Sequence, residues 1–288
     1  MVLESGAWRM AGNGSGSRGL ENGRKWFWNP GPGEWPVMVL EAGAWKTAAR
    51  VSRNDRVQGM DDFRIIEVKR SIFEDNNEDA GRLREELRQK GVFLLNLMGS
   101  PGAGKTATLV KTIEALKAGL GIAVMEADID SDVDARTISE TGARAIQLHT
   151  GGMCHLDADM TRQGLASLGT DGLDLVILEN VGNLVCPAEF DTGAVKNAMI
   201  LSVPEGDDKP LKYPLMFSVC DVLLINKIDA MPIFDFDIGL CEGRARVLNP
   251  DIKVIPISAK TGEGIDVWAR WLCGEIEAFR AGSRDEEV

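Results

Sequence analysis

No apolar run in the 288 residues approaches the roughly 20 needed to cross a bilayer, and the N-terminus lacks the charged-then-apolar layout of a secretory signal. A soluble, cytoplasmic protein without a membrane partner is expected. Positive charge is also short, since 32 Lys and Arg face 44 Asp and Glu and leave a formal net charge of −12. A phosphate backbone attracts clustered cations, so nucleic acid is not expected as a partner. Cysteine is sparse and odd in number, five in all, with no short-range framework, which favours free thiols or metal ligands over a disulfide scaffold. Only two histidines occur, His149 and His155. Hydrophobic residues, at 44%, suffice for one sizeable core with an appendage.

Residues 1–59 lack any sustained period of 2 or 3.6, although they hold five of the seven tryptophans and ten of the 32 glycines. The segment from Val2 to Arg9 is echoed from Val39 to Lys46, but two copies separated by Gly, Pro and Asn cannot stack a continuous core. A disordered or non-native extension is expected there, with Met60 an alternative start. Residues 60–91 are expected to form a strand and helix that pack on the main domain, which covers residues 92–281. Phe63–Val68 suits a short strand, and Glu74–Lys90 has helix composition with Leu83 and Leu87 four residues apart on one face.

Beyond Gly91, apolar runs at Val92–Met98, Ile122–Met125, Ala145–Leu148, Leu173–Leu178, Ala198–Val203, Val222–Ile225 and Val254–Ile257 alternate with helical segments. Those segments are Ala107–Ala118, Asp132–Thr141, Leu156–Leu168, Asp237–Leu248 and Ile265–Phe279. Strands apolar on both faces and separated by helices indicate a doubly wound α/β fold: a mostly parallel sheet of about seven strands with helices on both faces. Ligands of such a sheet sit at the carboxyl ends of the strands.

Directly after the first of these strands stands Gly99-Ser100-Pro101-Gly102-Ala103-Gly104-Lys105-Thr106, which fits G-x-x-x-x-G-K-[ST] in its required strand-to-helix context. Backbone N–H groups of such a turn, with the positive end of the next helix, cradle phosphate oxygens. Lys105 is expected on the β- and γ-phosphates and Thr106 on Mg²⁺. Asn226-Lys227-Ile228-Asp229 closes an apolar strand as N-K-x-D, and Ser258-Ala259-Lys260 follows another. In P-loop GTPases, which this pattern resembles, N-K-x-D reads guanine: the Asp, here Asp229, accepts from N1–H and the 2-amino group, and a buried carboxylate would be left unpaired by adenine. The nucleotide is therefore expected to be GTP. Glu179, at the end of an apolar strand, and Asp128 are the candidate Mg²⁺ and catalytic acids beside Lys105, and the Gly182 amide is placed to sense the γ-phosphate. No Gln or Arg stands out as a catalytic finger, so slow intrinsic hydrolysis is expected.

Two further stretches carry soft donors: Gly151-Gly152-Met153-Cys154-His155-Leu156-Asp157 and Gly182-Asn183-Leu184-Val185-Cys186-Pro187. Cys154, His155 and Cys186 suit Zn²⁺ or Ni²⁺ by chemistry, but spacing alone leaves a structural Cys/His pair equally open. Cys186 lies just beyond Gly182, so a metal site there would sit on the segment that answers to the γ-phosphate.

The P-loop, the string from Gly152 to Asp157, that from Glu179 to Pro187, that from Glu205 to Pro214 and N-K-x-D together resemble the hydrogenase nickel-incorporation GTPases of the HypB family, of the SIMIBI class of P-loop GTPases, over roughly Asp61 to Glu277. The resemblance implies a GTP-dependent homodimer that binds nickel or zinc at its interface, with Cys154, His155 and Cys186 of each copy as ligands. It also implies help in loading nickel into the large subunit of [NiFe]-hydrogenase, with a small zinc-containing chaperone of the HypA type. Residues 1–91 contain neither Cys nor His, so they supply neither the N-terminal C-x-x-C-G-C nickel site nor the His-rich storage tract of some members. Cys220, Cys241 and Cys273 match no ligand position. The urease-loading GTPase, with a C-P-H metal motif, and a metal-buffering protein with a regulatory nucleotide site are the competing expectations.

Overall fold

A computed structural model describes residues 17–21, 24–28, 39–40, 63–67, 76–128 and 137–284. The chain divides into two compact units, Met1–Gln58 and Gly59–Val288. In the first, β1 (Ser17–Glu21), β2 (Arg24–Trp28) and β3 (Val39–Leu40) form a three-stranded antiparallel sheet. The first copy of the sequence echo, and the second from residue 41 on, lie outside the described residues.

The second unit begins with β4 (Phe63–Glu67), α1 (Asn76–Gln89), β5 (Phe93–Gly99), α2 (Lys105–Leu116), β6 (Ile122–Asp128), β7 (Arg144–His149), α3 (Ala158–Leu168) and β8 (Leu175–Glu179). It continues with α4 (Cys186–Glu189), β9 (Lys196–Ser202), α5 (Lys209–Lys212), α6 (Pro214–Val219), β10 (Val222–Asn226), α7 (Ile238–Leu248), β11 (Lys253–Pro256) and α8 (Ile265–Arg284). Eight strands form one sheet in the order β11-β10-β9-β5-β8-β6-β7-β4, and every pairing is parallel. The seven expected strands are present, and β4 joins them as an edge. Of the helix expected over Asp132–Thr141, residues 137–139 are helical and 132–136 lie outside the described residues.

All seven residues of β5 are buried, because the sheet is covered on both faces. Alternation sends Phe93, Leu95 and Leu97 to one face, where α2 and α8 supply Leu109, Ile113, Trp268 and Leu272. Trp268 meets its one polar need there by donating from Nε1 to Thr112 Oγ1 at 2.9 Å. Leu94 points to the opposite face, against Leu83 and Leu87 of α1 and Met160 and Leu165 of α3. Met98 joins a separate cluster on that face with Met216 and Phe217 of α6 and Cys241 and Ala245 of α7. Each such leucine contributes about 1.5–3 kcal/mol by leaving water. Between Leu94 and Met98 sits Asn96, the only polar side chain in β5.

The chain leaves β5 through α2 for β6, on the far side of β8, whereas β9 lies on the other flank of β5. The divergence opens a crevice at the carboxyl ends of β5 and β8, where a doubly wound sheet binds its ligand.

Candidate nucleotide site and the adjoining thiol loop

Gly104 caps α2 in a left-handed conformation, φ 97°, and a Cβ there would fall 2.4 Å from Asn226 Nδ2. It offers no side-chain cap, and the first turn of α2 carries no acid, so the N–H groups of that turn face an anion without competition. The turn borders a cleft of about 570 Å³ lined by Gly102, Lys105, Thr106, Glu126, Glu179 and Gly182, among others. Glu179 lies 3.8 Å from Lys105 Nζ, with both side chains at most 10% exposed, and accepts from Thr106 Oγ1 at 3.3 Å. Such a desolvated pair is costly unless a ligand compensates it, which suits a lysine waiting for phosphate. Gly182 approaches the P-loop so closely that a Cβ would meet Pro101 Cγ at 2.9 Å.

Glu126 is a site residue that sequence analysis passed over in favour of Asp128. Parallel register sets it opposite Glu179, and its side chain is buried against the cleft. Asp128 ends β6 one side-chain period later. The two buried carboxylates and the Thr106 hydroxyl place oxygen donors together, the donor set of a hard divalent cation.

Asn226 ties the N-K-x-D loop to the P-loop by donating from Nδ2 to Ala103 O at 2.9 Å, while its Oδ1 accepts from Lys227 N and Ala259 N. Lys227 adopts φ 64° and donates from Nζ to Gly102 O at 2.6 Å. Ser258 Oγ donates to Asp229 Oδ1 at 2.6 Å, and Lys260 Nζ lies 3.7 Å from Oδ2. The Ser258 hydrogen bond, helped by Lys260, holds the Asp229 carboxyl below its usual range and keeps it an acceptor. Ser100, Ala103 and Ala259 act through backbone atoms: Ser100 O accepts from Ala103 N within the turn, and Ala259 N closes on Asn226.

The sheet also brings Cys154, His155 and Cys186 to one neighbourhood. Asp157 Oδ1 caps α3 by accepting from Met160 N at 2.8 Å, which starts that helix two residues later than its apolar pattern and leaves Cys154 and His155 on the loop before it. Cys154 Sγ lies 4.0 Å from His155 Nδ1, and the imidazole stacks on Phe190 with ring centroids 3.6 Å apart. Contact with the Cys154 thiol, then burial, raises the Cys186 thiol above its ordinary value, while Asn183 Nδ2 at 3.6 Å pulls it down. Among the described residues, no three His, Cys, Asp or Glu side chains converge tightly enough to hold a metal within one chain. The cage expected of these three is thus not closed by a single copy.

The string from Glu205 to Pro214 is scaffold. Glu205 Oε2 accepts from Ser202 N and Oγ in a capping box, and Asp207 accepts from Arg244 and Asp237 N, which pins the loop to α7.

A parallel sheet with a P-loop, two acids at neighbouring strand ends and N-K-x-D defines a P-loop nucleotide-binding protein, and residues 93–256 match the family model described as CobW/HypB/UreG, nucleotide-binding domain. The chain is 45% identical over 230 residues to the hydrogenase maturation factor HypB of Rhizobium leguminosarum bv. viciae, covering 80% of this chain and 76% of that protein. It is 38% identical over 221 residues to the hydrogenase/urease maturation factor HypB of Helicobacter hepaticus, covering 75% of this chain and 90% of that one. The crystal structure of HypB from Helicobacter pylori in complex with nickel superposes with a TM-score of 0.67 at 34% identity, over 71% of this chain and 96% of that one. The chain belongs to the hydrogenase maturation factor HypB family. No helix among the described residues is long and apolar enough to cross a membrane.

Proposed function

We propose that the protein is a GTP-hydrolysing nickel metallochaperone, a homodimer that binds nickel or zinc where Cys154, His155 and Cys186 of two copies meet and assists nickel insertion into [NiFe]-hydrogenase with a small zinc-containing partner. The observation that carries this reading is the continuity of one segment. It leaves β8 at Glu179 in the phosphate cleft, touches the P-loop at Gly182, and ends at Cys186 beside Cys154. The nickel complex of the Helicobacter pylori relative supports the choice of metal.

Lys105 and the first-turn N–H groups of α2 hold the phosphates, and Asp229 with Ala259 reads the guanine. Thr106, Glu126 and Glu179, with Asp128 at the strand end, would hold Mg²⁺, which when bound offsets charge developing on the phosphate oxygens. Glu179 exchanges its contact with Lys105 for that role when phosphate arrives. Slow intrinsic turnover is part of this reading, since no Gln or Arg stands out in the sequence as a catalytic finger. Thiolate ligands must lose protons to bind metal, so metal loading releases protons.

The expected test result is GTP hydrolysis by the full chain that falls to background in Lys105→Ala. Nickel retention without turnover would instead support a metal-buffering protein. The Helicobacter hepaticus relative, whose name includes urease, favours urease as a second recipient. Cys186-Pro187 is followed by Ala188 rather than the histidine of the urease-loading C-P-H motif, and hydrogenase remains the primary assignment. Nickel transfer to apo-urease but not to an apo-hydrogenase large subunit would reverse that order.

A further inference from the structure

Asn96 stands alone as a polar side chain in a strand buried along its whole length, and an unpaired amide there would cost stability. Instead it is the centre of a ladder. Asn180 Nδ2 donates to Asn96 Oδ1 at 3.1 Å, Asn96 Nδ2 donates to Asn197 Oδ1 at 3.0 Å, and Asn197 Nδ2 donates to Val219 O at 3.2 Å. The ladder crosses from the residue just after β8 through β5 to β9 and ends at the last residue of α6, filling the gap between the two apolar clusters on that face. Asn96 and Asn180 are at most 2% exposed. Asn180 is held at two further points, because its backbone N–H donates to Leu97 O at 2.9 Å and its Oδ1 accepts from Val181 N at 2.9 Å.

Asn180 separates two residues with opposite requirements. Glu179, immediately before it, must stay beside Thr106. Gly182 and Cys186, after it, lie on the segment that the γ-phosphate and the metal would move. A hinge works only if one side is fixed, and a buried, fully bonded amide is a rigid anchor.

We propose that Asn96 is a positioning residue: through Asn180 it fixes the pivot about which residues 181–186 turn, keeping Glu179 in place while nucleotide state is relayed to Cys186. The relay rests on the nucleotide–metal reading above, whereas the placement of Glu179 does not. Replacement of Asn96 by leucine, of similar volume, leaves Asn180 Nδ2 without a partner in the core and Asn197 Oδ1 without one at the half-buried end. Asn197→Ala cuts the ladder at its half-buried end, leaving Asn96 Nδ2 unpaired but keeping the Asn180–Asn96 bond, so the pivot is loosened rather than released.

The experiment compares wild type, Asn96→Leu and Asn197→Ala as full chains. It reads kcat and KM for Mg²⁺-dependent GTP hydrolysis, and the factor by which a non-hydrolysable GTP analogue changes Ni²⁺ affinity. In Asn96→Leu, kcat should fall about tenfold with KM within about twofold, because a misplaced carboxylate matters in the transition state more than in binding. Asn197→Ala should move the same way by less, and in both variants the nickel coupling factor should shrink toward one. Folded variants that keep wild-type kcat and coupling would reduce the ladder to a structural element, as would a KM that rises as much as kcat falls. Should Asn96→Leu not fold, Asn197→Ala decides alone. Absence of coupling in the wild type would overturn the nucleotide–metal reading, and the kcat and KM split would still decide the role of Asn96.

Discussion

At the scale of single residues, the base site depends on one carboxylate. Asp229→Asn is expected to weaken GTP binding and admit xanthosine triphosphate, whose C2 carbonyl accepts from the new amide where guanine's amino group donates; equal GTP affinity in the variant would remove Asp229 from the base site. Gly104→Ala combines a positive φ with a Cβ clash at Asn226, the residue that joins P-loop to base loop. It should lower stability by about 1–3 kcal/mol and abolish GTP binding, and a wild-type denaturation curve would contradict the close approach. The thiols predict a pH dependence of definite sign. Metal ligation needs the thiolate, and contact with Cys154 raises the Cys186 pKa, so Ni²⁺ affinity should climb as pH rises through neutrality and fall on acidification. A flat affinity profile between about pH 6 and 9, around the ordinary thiol value, would exclude these thiols as ligands. The P-loop, N-K-x-D and Glu179 were legible because each is a fixed residue pattern at a strand end. Glu126 was not, since it shares one face of β6 with Asp128 and only the register between β6 and β8 sets it opposite Glu179. Asn96 was hidden for a related reason: one amide inside an apolar run reads as noise until its partners after β8 and on β9 are known.

At the scale of elements, the sheet was legible because buried parallel strands are continuous apolar runs that alternate with amphipathic helices. Ends moved by a residue or two where side-chain chemistry overrides pattern, as at α3, which Asp157 caps, and β8, which starts at Leu175 rather than Leu173. The short helices α4, α5 and α6 left no readable period, since four to six residues make less than two turns. The start of β8 is tied to both its neighbours by Asp174. Gly121 N donates to its Oδ2 at 2.6 Å, and Arg280 of α8 pairs with its Oδ1. Burial raises the Asp174 pKa, but the Gly121 hydrogen bond and the Arg280 charge outweigh it and the net shift is downward. A depressed carboxyl pKa adds stability above the unfolded value of about 4 and loses it as pH falls through the folded one. Asp174→Asn should therefore cost about 0.5–1 kcal/mol at pH 7, discounted because water screens the pair, and the gap from wild type should narrow as pH falls below about 4 and close once it passes the lowered folded pKa. A gap that persists in acid, measured by denaturant titration, would place the effect elsewhere than the ion pair.

At the scale of the whole molecule, Gly59–Val288 holds every residue assigned to nucleotide or metal. A chain beginning at Met60 should keep GTPase activity and thermal stability, and a stability loss above about 1 kcal/mol, larger than an ordinary surface change, would contradict its independence. Hydrogenase maturation was legible from the motif strings, whereas which particular hydrogenase takes the nickel was not, because recognition of a partner lies in surfaces rather than motifs. The central claim is that nucleotide and metal share one free energy through the segment from Glu179 to Cys186. The most direct measurement is a titration of the purified full chain with Ni²⁺ in its nucleotide-free, GDP and GTP-analogue forms, paired with the converse GTP-analogue titration with and without Ni²⁺, while dimerisation is followed. Coupling is reciprocal, so each ligand should change the other's affinity by the same factor, about tenfold for a coupling of about 1.4 kcal/mol, and Cys186→Ala should abolish the effect while sparing nucleotide binding. Equal Ni²⁺ affinities across the three forms, in a protein shown to bind both ligands, would contradict the account.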